Sequence, residues 1–145
     1  KTWFEKIKGW NEDYWMYFED VDLSKKVTDN RGKVALLKDV NIIHNHGGAS
    51  RINIKTSALT KSEVMISRHV YLSIHFSGFY KFICQFLLVL QVLISKTILG
   101  ILGLIFCFIP KAAVQWYLFV NMVKYYISSI INRTWLSIRS INFNK

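Results

Sequence analysis

From Phe82 to Ile109 the chain carries a single charge, Lys96. The stretch reads FICQFLLVLQVLI, then Ser-Lys, then TILGILGLIFCFI. Apolar surface on this scale has to be removed from water, in a core or in a bilayer. Crossing a bilayer takes about 20 apolar residues, and each half-run is shorter than that. In a single span Lys96 would fall near the bilayer centre, where a charge is costly. Arg68 and Lys81 precede the run, and Lys111, Lys124, Arg133, Arg139 and Lys145 follow it. Basic residues on both sides leave the positive-inside rule without a preference. The expectation is therefore two short helices in the interface, or a re-entrant hairpin turning near Ser95–Lys96. The alternative is a buried helical hairpin in a soluble core. Trp116, Tyr117, Tyr125, Tyr126 and Trp135 would suit a head-group belt, or packing against another domain.

Charge divides the chain in the same place. The net charge of the 145 residues is +10, yet residues 1–75 hold twelve Lys/Arg against all nine Asp/Glu, and residues 76–145 hold seven Lys/Arg and no acid. All four His precede Phe76 as well. Carboxylate or imidazole chemistry belongs to the first half. The second half is basic, aromatic and apolar, which suits anionic lipid head groups. Nucleic-acid modules do not carry such apolar runs, so no nucleic-acid partner is expected. Hydrophobic residues at 52% exclude a disordered chain. Cys84 and Cys107 sit inside apolar runs and do not make a disulfide framework. The chain starts at Lys1 with no signal-peptide pattern, and reads as part of a longer protein.

The first half reads as mixed α and β structure. Residues 3–18 are crowded with aromatics, and the Gly and Asn of KGWNEDYW favour a turn. FEDVDLSKKVTDNRGK places acids first and bases later, matching a helix dipole, with Gly32 positioned to end the helix. VALL and VNIIH read as short strands, HGGAS as a loop, and Ser57 to His75 as a helix.

Two clusters could carry chemistry. Glu19, Asp20 and Asp22 put three carboxylates within four positions, enough to raise a pKa or bind a cation, or simply to make an acidic helix start. His44 and His46 would share a face of a strand, as metal ligands do, although a lone HxH is more often surface histidine. Gly47 and Gly48 allow close backbone approach to a phosphate, or form an ordinary turn. A helix out and a strand back would bring His44 near the acids, a donor set suited to Mg²⁺ or Mn²⁺.

GWNEDYWMYFEDVDLSKKV, VALLKDVNIIHNHGGAS and the SRHVYLSIHF helix, taken in order, resemble the C-terminal half of a family 2 glycosyltransferase of the bacterial rhamnosyltransferase type. The resemblance covers about residues 1–80. It implies an α/β fold, the GT-A Rossmann-like sandwich, with residues 1–78 as its acceptor-side part and residues 79–145 as a membrane-associated helical tail. It implies inverting transfer of rhamnose or a similar sugar from a nucleotide-sugar donor to a hydroxyl of a polysaccharide or lipid-linked acceptor. Asp20 would be the general base and Glu19 would shape the acceptor pocket. Asp22 would support the site from the helix start. His44 would ligate the divalent ion, Mg²⁺ or Mn²⁺. Gly47, Gly48 and Ser50 would form the loop near the phosphates, and Trp10, Asn11, Glu12 and Trp15 would line the acceptor side. The nucleotide-binding half, with its own DxD, is not in this sequence, so the chain alone should be inactive. The expected location is the cytoplasmic face of a membrane. Two rival readings are a non-catalytic membrane-interaction protein and a metal-dependent hydrolase built from Glu19, Asp20, Asp22, His44 and His46.

Overall fold

The structure, a computed structural model, describes residues 2–43 and 53–144. Among them are five helices and no strand: α1 (Thr2–Lys6), α2 (Glu19–Asp29), α3 (Ile54–His75), α4 (Gly78–Ile105) and α5 (Pro110–Asn132). This overturns the α/β, Rossmann-like expectation. The strand-like residues 34–37 and 40–43 run without regular structure, and Leu36, Ile42 and Ile43 stand 88%, 83% and 99% exposed. A strand needs a neighbour for its backbone N–H and C=O groups, and no other described segment supplies one. β-propensity without a pairing partner does not make a sheet.

The body is three long helices. Asn53 caps α3, its side chain accepting from Thr56 N–H at 2.8 Å. At the other end Lys81 Nζ donates to Ser73 O at 2.7 Å, holding the α3–α4 corner. The expected turn at Ser95–Lys96 is absent, because α4 continues through it to Ile105. Neither residue breaks a helix, and the chain turns later, where Ile109 N bonds Phe106 O and Pro110 starts α5. Gly100 and Gly103 act as contact points between helices. A Cβ on Gly103 would lie 2.4 Å from Ala112 O, and one on Gly100 would lie 2.7 Å from Phe119 Cβ. The missing side chains let α4 and α5 approach closely, as small residues do between helices.

The core draws on both sides of residue 78. Ala58, Ile66 and Val70 of α3 pack with Val92 of α4 and with Val114, Leu118 and Met122 of α5. At its centre is His69, fully buried. Its Nδ1 is 2.6 Å from Gln85 Oε1, an acceptor, so Nδ1 carries the proton. Its Nε2 then accepts from Tyr126 O–H at 3.0 Å. Gln85 Nε2 returns to His69 O at 2.8 Å, and Trp135 stacks on the imidazole with centroids 4.9 Å apart. One ring thus joins three helices and the segment after α5. Burial holds the imidazole down to about 4, neutral at physiological pH.

Two terminal segments cover the face of α3 away from α4. Ser67 Oγ donates to Met16 O, and Glu63 accepts from Ser137 Oγ at 3.1 Å and Arg139 Nη1 at 3.2 Å. Ser140 Oγ donates to Glu12 O, and Asn142 Nδ2 donates to Asp13 Oδ1 at 2.9 Å.

On the opposite side α4 is bare. Its 28 residues extend about 42 Å at the helical rise, against about 30 Å of bilayer hydrocarbon. It is long and apolar enough to cross a membrane, and only 17% of its most apolar window is buried. A core helix would be covered.

Candidate functional site

The acidic cluster starts α2, and the chain is bent sharply to reach it. Tyr17 and Phe18 have φ of 68° and 67°, two successive non-glycine residues in the left-handed region. Each costs roughly 1–2 kcal/mol relative to ordinary backbone. Contacts hold them there: Phe18 packs on Tyr71 with ring centroids 5.8 Å apart, and Ser67 pins Met16. Such strain gathers at sites where side chains must be aimed.

The three carboxylates separate into different roles. Asp22 is fully buried. Its Oδ1 is 2.7 Å from His75 Nε2 and accepts from Tyr14 O–H at 3.5 Å, while Lys26 Nζ is 2.9 Å from Oδ2. Burial, and then the Asp22 charge, push the Tyr14 phenol far up, so it stays protonated and donates to Asp22. This knot fastens α2 to the end of α3. Glu19 is half-buried, with Oε2 shielded from water and without a hydrogen-bond partner. Asp20 is exposed, and its Oδ1 accepts from Val21 N–H at 2.8 Å.

The aromatic residues nearby stay open. Trp10 is 52% exposed with its edge to Phe4, and Trp15 is exposed with the Arg139 guanidinium 5.7 Å from its ring. Asn11 builds the turn foreseen at KGWNEDYW, its Oδ1 accepting from Asp13 N–H at 3.0 Å. Glu12 is exposed and contributes its backbone oxygen to Ser140.

His44, His46, Gly47, Gly48 and Ser50 lie outside the described residues. Among the described residues no three of His, Cys, Asp and Glu converge as a metal site. Asp22 is not open to an Mg²⁺ or Mn²⁺ ion: it already holds an imidazole and an ammonium, and a cation beside Oδ2 occupies the place of a metal. The well-formed cavities also lie elsewhere, along α3, α4 and α5.

Sequence reasoning did not find His75 or His69. Both sit inside an ordinary-looking helix, and their partners are 53 and 16 residues away. Only the three-dimensional packing brings those pairs together. No family model, curated protein or solved structure matches this chain.

Proposed function

We propose that this chain forms the acceptor-side part of a membrane-seated, inverting glycosyltransferase, with Asp20 as the base. The observation that carries the reading is the pair of left-handed residues, Tyr17 and Phe18, immediately before Glu19–Asp20. Backbone strain at that point sets the acids at the head of α2. Exposed Trp10, Trp15 and Tyr17 offer flat apolar faces of the kind sugar rings pack on, and Glu19 Oε2 offers an acceptor that lacks a donor. The ordered motifs of residues 1–80 point the same way.

In this reading the Asp20 carboxylate takes the proton of the acceptor hydroxyl. The freed oxygen bonds to the donor's anomeric carbon as the carbon–phosphate oxygen bond breaks, and the nucleotide diphosphate departs with that electron pair. In-line attack inverts the anomeric centre, and positioning supplies much of the acceleration. Donor binding is assigned to residues outside those described, as is a divalent ion at His44. α4 rests in a bilayer, on its cytoplasmic face, and keeps a lipid-linked acceptor within reach.

Asp20→Asn in the full-length protein tests the assignment. Transfer of sugar from donor to acceptor should be lost while donor affinity is kept. Transfer near the wild-type rate would remove Asp20 as base.

A second reading has one observation in its favour. The bare apolar face of α4 and the basic second half would serve a non-catalytic membrane-interaction protein equally well. That reading expects vesicle binding indifferent to substitutions at Asp20.

A further inference from the structure

Between α4 and α5 lies a cavity of about 440 Å³, apart from the acidic cluster and sharing only Tyr126 and Trp135 with the His69 network. Val89 and Leu93 form one wall, Ile130 the other, and Trp135 the end. Its lining is almost wholly apolar, and its volume falls in the range that holds small ligands, roughly 300–1,000 Å³.

Two polar features break the apolar lining. Ser129 is only 7% exposed, and its hydroxyl stands beside the Tyr125 phenol. The neighbouring Tyr125 hydroxyl is donated to Trp135 O at 2.8 Å. With the Tyr125 proton committed to Trp135, the Ser129 hydroxyl is a donor at the cavity wall. Arg133 is the second feature. It ends α5 with φ 51°, lines the cavity, and forms no ion pair among the described residues.

The cavity also adjoins the apolar face of α4. Leu93 belongs both to its wall and to the exposed row that includes Leu90 and Ile94. An occupant arriving along that face comes from hydrocarbon. It needs an apolar chain for the walls and a negative group for Arg133.

We propose that this cavity holds one acyl chain of an anionic phospholipid, with its phosphate on Arg133 and the Ser129 hydroxyl donating to the ester oxygens. The proposal rests on the membrane seating of α4, and not on the transferase reading.

Tryptophan quenching by brominated lipids tests it, because Trp135 forms the end of the cavity. The full chain is placed in phosphatidylcholine bilayers containing equal fractions of dibrominated phosphatidylglycerol or dibrominated phosphatidylcholine. The anionic lipid should quench more strongly. Arg133→Gln should abolish the difference, and Trp135→Phe should remove the same component. Lys124→Gln removes an exposed charge from the same helix and should leave the difference in place. Equal quenching by the two lipids overturns the phosphate site alone, as does a difference that survives Arg133→Gln or disappears with Lys124→Gln. Quenching by neither lipid overturns the membrane seating and the site together.

Discussion

His75 Nε2 lies 2.7 Å from Asp22 Oδ1, joining the last residue of α3 to the first turn of α2. Asp22 has no exposure, so its charge depends on that imidazole and on Lys26. Removing one member of a buried charged set costs several kcal/mol, because the others are left without their partner. Asp22→Ala is expected to destabilise the protein by about 3 kcal/mol in urea unfolding. Asp20→Ala, at an exposed position two residues away, should change stability by less than about 0.5 kcal/mol. Equal losses at the two positions would contradict the division of roles described here.

Tyr17 tests the strained corner. Tyr17→Gly removes the left-handed penalty at a half-open side chain and should raise stability by roughly 0.5–1 kcal/mol. Sugar transfer by the full-length protein should fall in the same variant, because the acids lose their fixed direction. A variant both no more stable and fully active would show that the strain serves neither end.

Acid should loosen the body through His69. Burial holds its folded-state value down to about 4, below the ordinary 6.5. The unfolded chain therefore binds the proton more readily between those values. Stability present above about pH 6.5 is lost as pH falls toward about 4, by up to roughly 1.4 kcal/mol per pH unit. Denaturation midpoints at pH 7 and pH 5 measure it. His69→Gln, which cannot take up that proton, should show a flatter profile over the same interval.

The α4–α5 contact has a steric test. A Cβ at Gly103 would meet Ala112 O at 2.4 Å and Trp116 N at 2.8 Å, both backbone atoms that cannot swing aside. Gly103→Ala should therefore cost about 1–3 kcal/mol, despite the better helix propensity of alanine. At Gly78 the added Cβ would meet nothing within 4 Å, but φ is +57°, so any cost of Gly78→Ala there is backbone strain alone.

Glu63 is held by Ser137 and Arg139, and its Oε2 has no partner. Burial pushes its carboxyl up, against the pull of those two donors. Arg139→Met should cost about 1–3 kcal/mol by leaving the charge with a single neutral donor. It should also free the indole of Trp15, visible as a change in tryptophan emission.

The helices were legible where capping and dipole signals were local. The acid-to-base run of residues 19–29, the stop near Gly32 and the helix ending at His75 all follow from neighbours in sequence. The apolar character of residues 82–109 was equally plain, but its continuity was not. Lys96 looked like a break because a lone lysine is costly in hydrocarbon, whereas in the fold it is partly covered. Residues 34–43 show the opposite failure. Their side chains have strand character, yet a strand is a relation between paired segments, and among the described residues nothing pairs with them. The carboxylates were visible as a cluster, but not their separation into buried, shielded and exposed, which His75, Tyr14 and Lys26 impose from elsewhere.

The tie from Asn142 to Asp13 closes a loop of 129 residues. Joining points so distant along a polymer is slow, and its entropy is recovered only after the intervening helices have collapsed. A ribosome must have delivered Asn142 before the tie to Asp13 can form. During synthesis this tie therefore forms well after the apolar helices have needed somewhere to go.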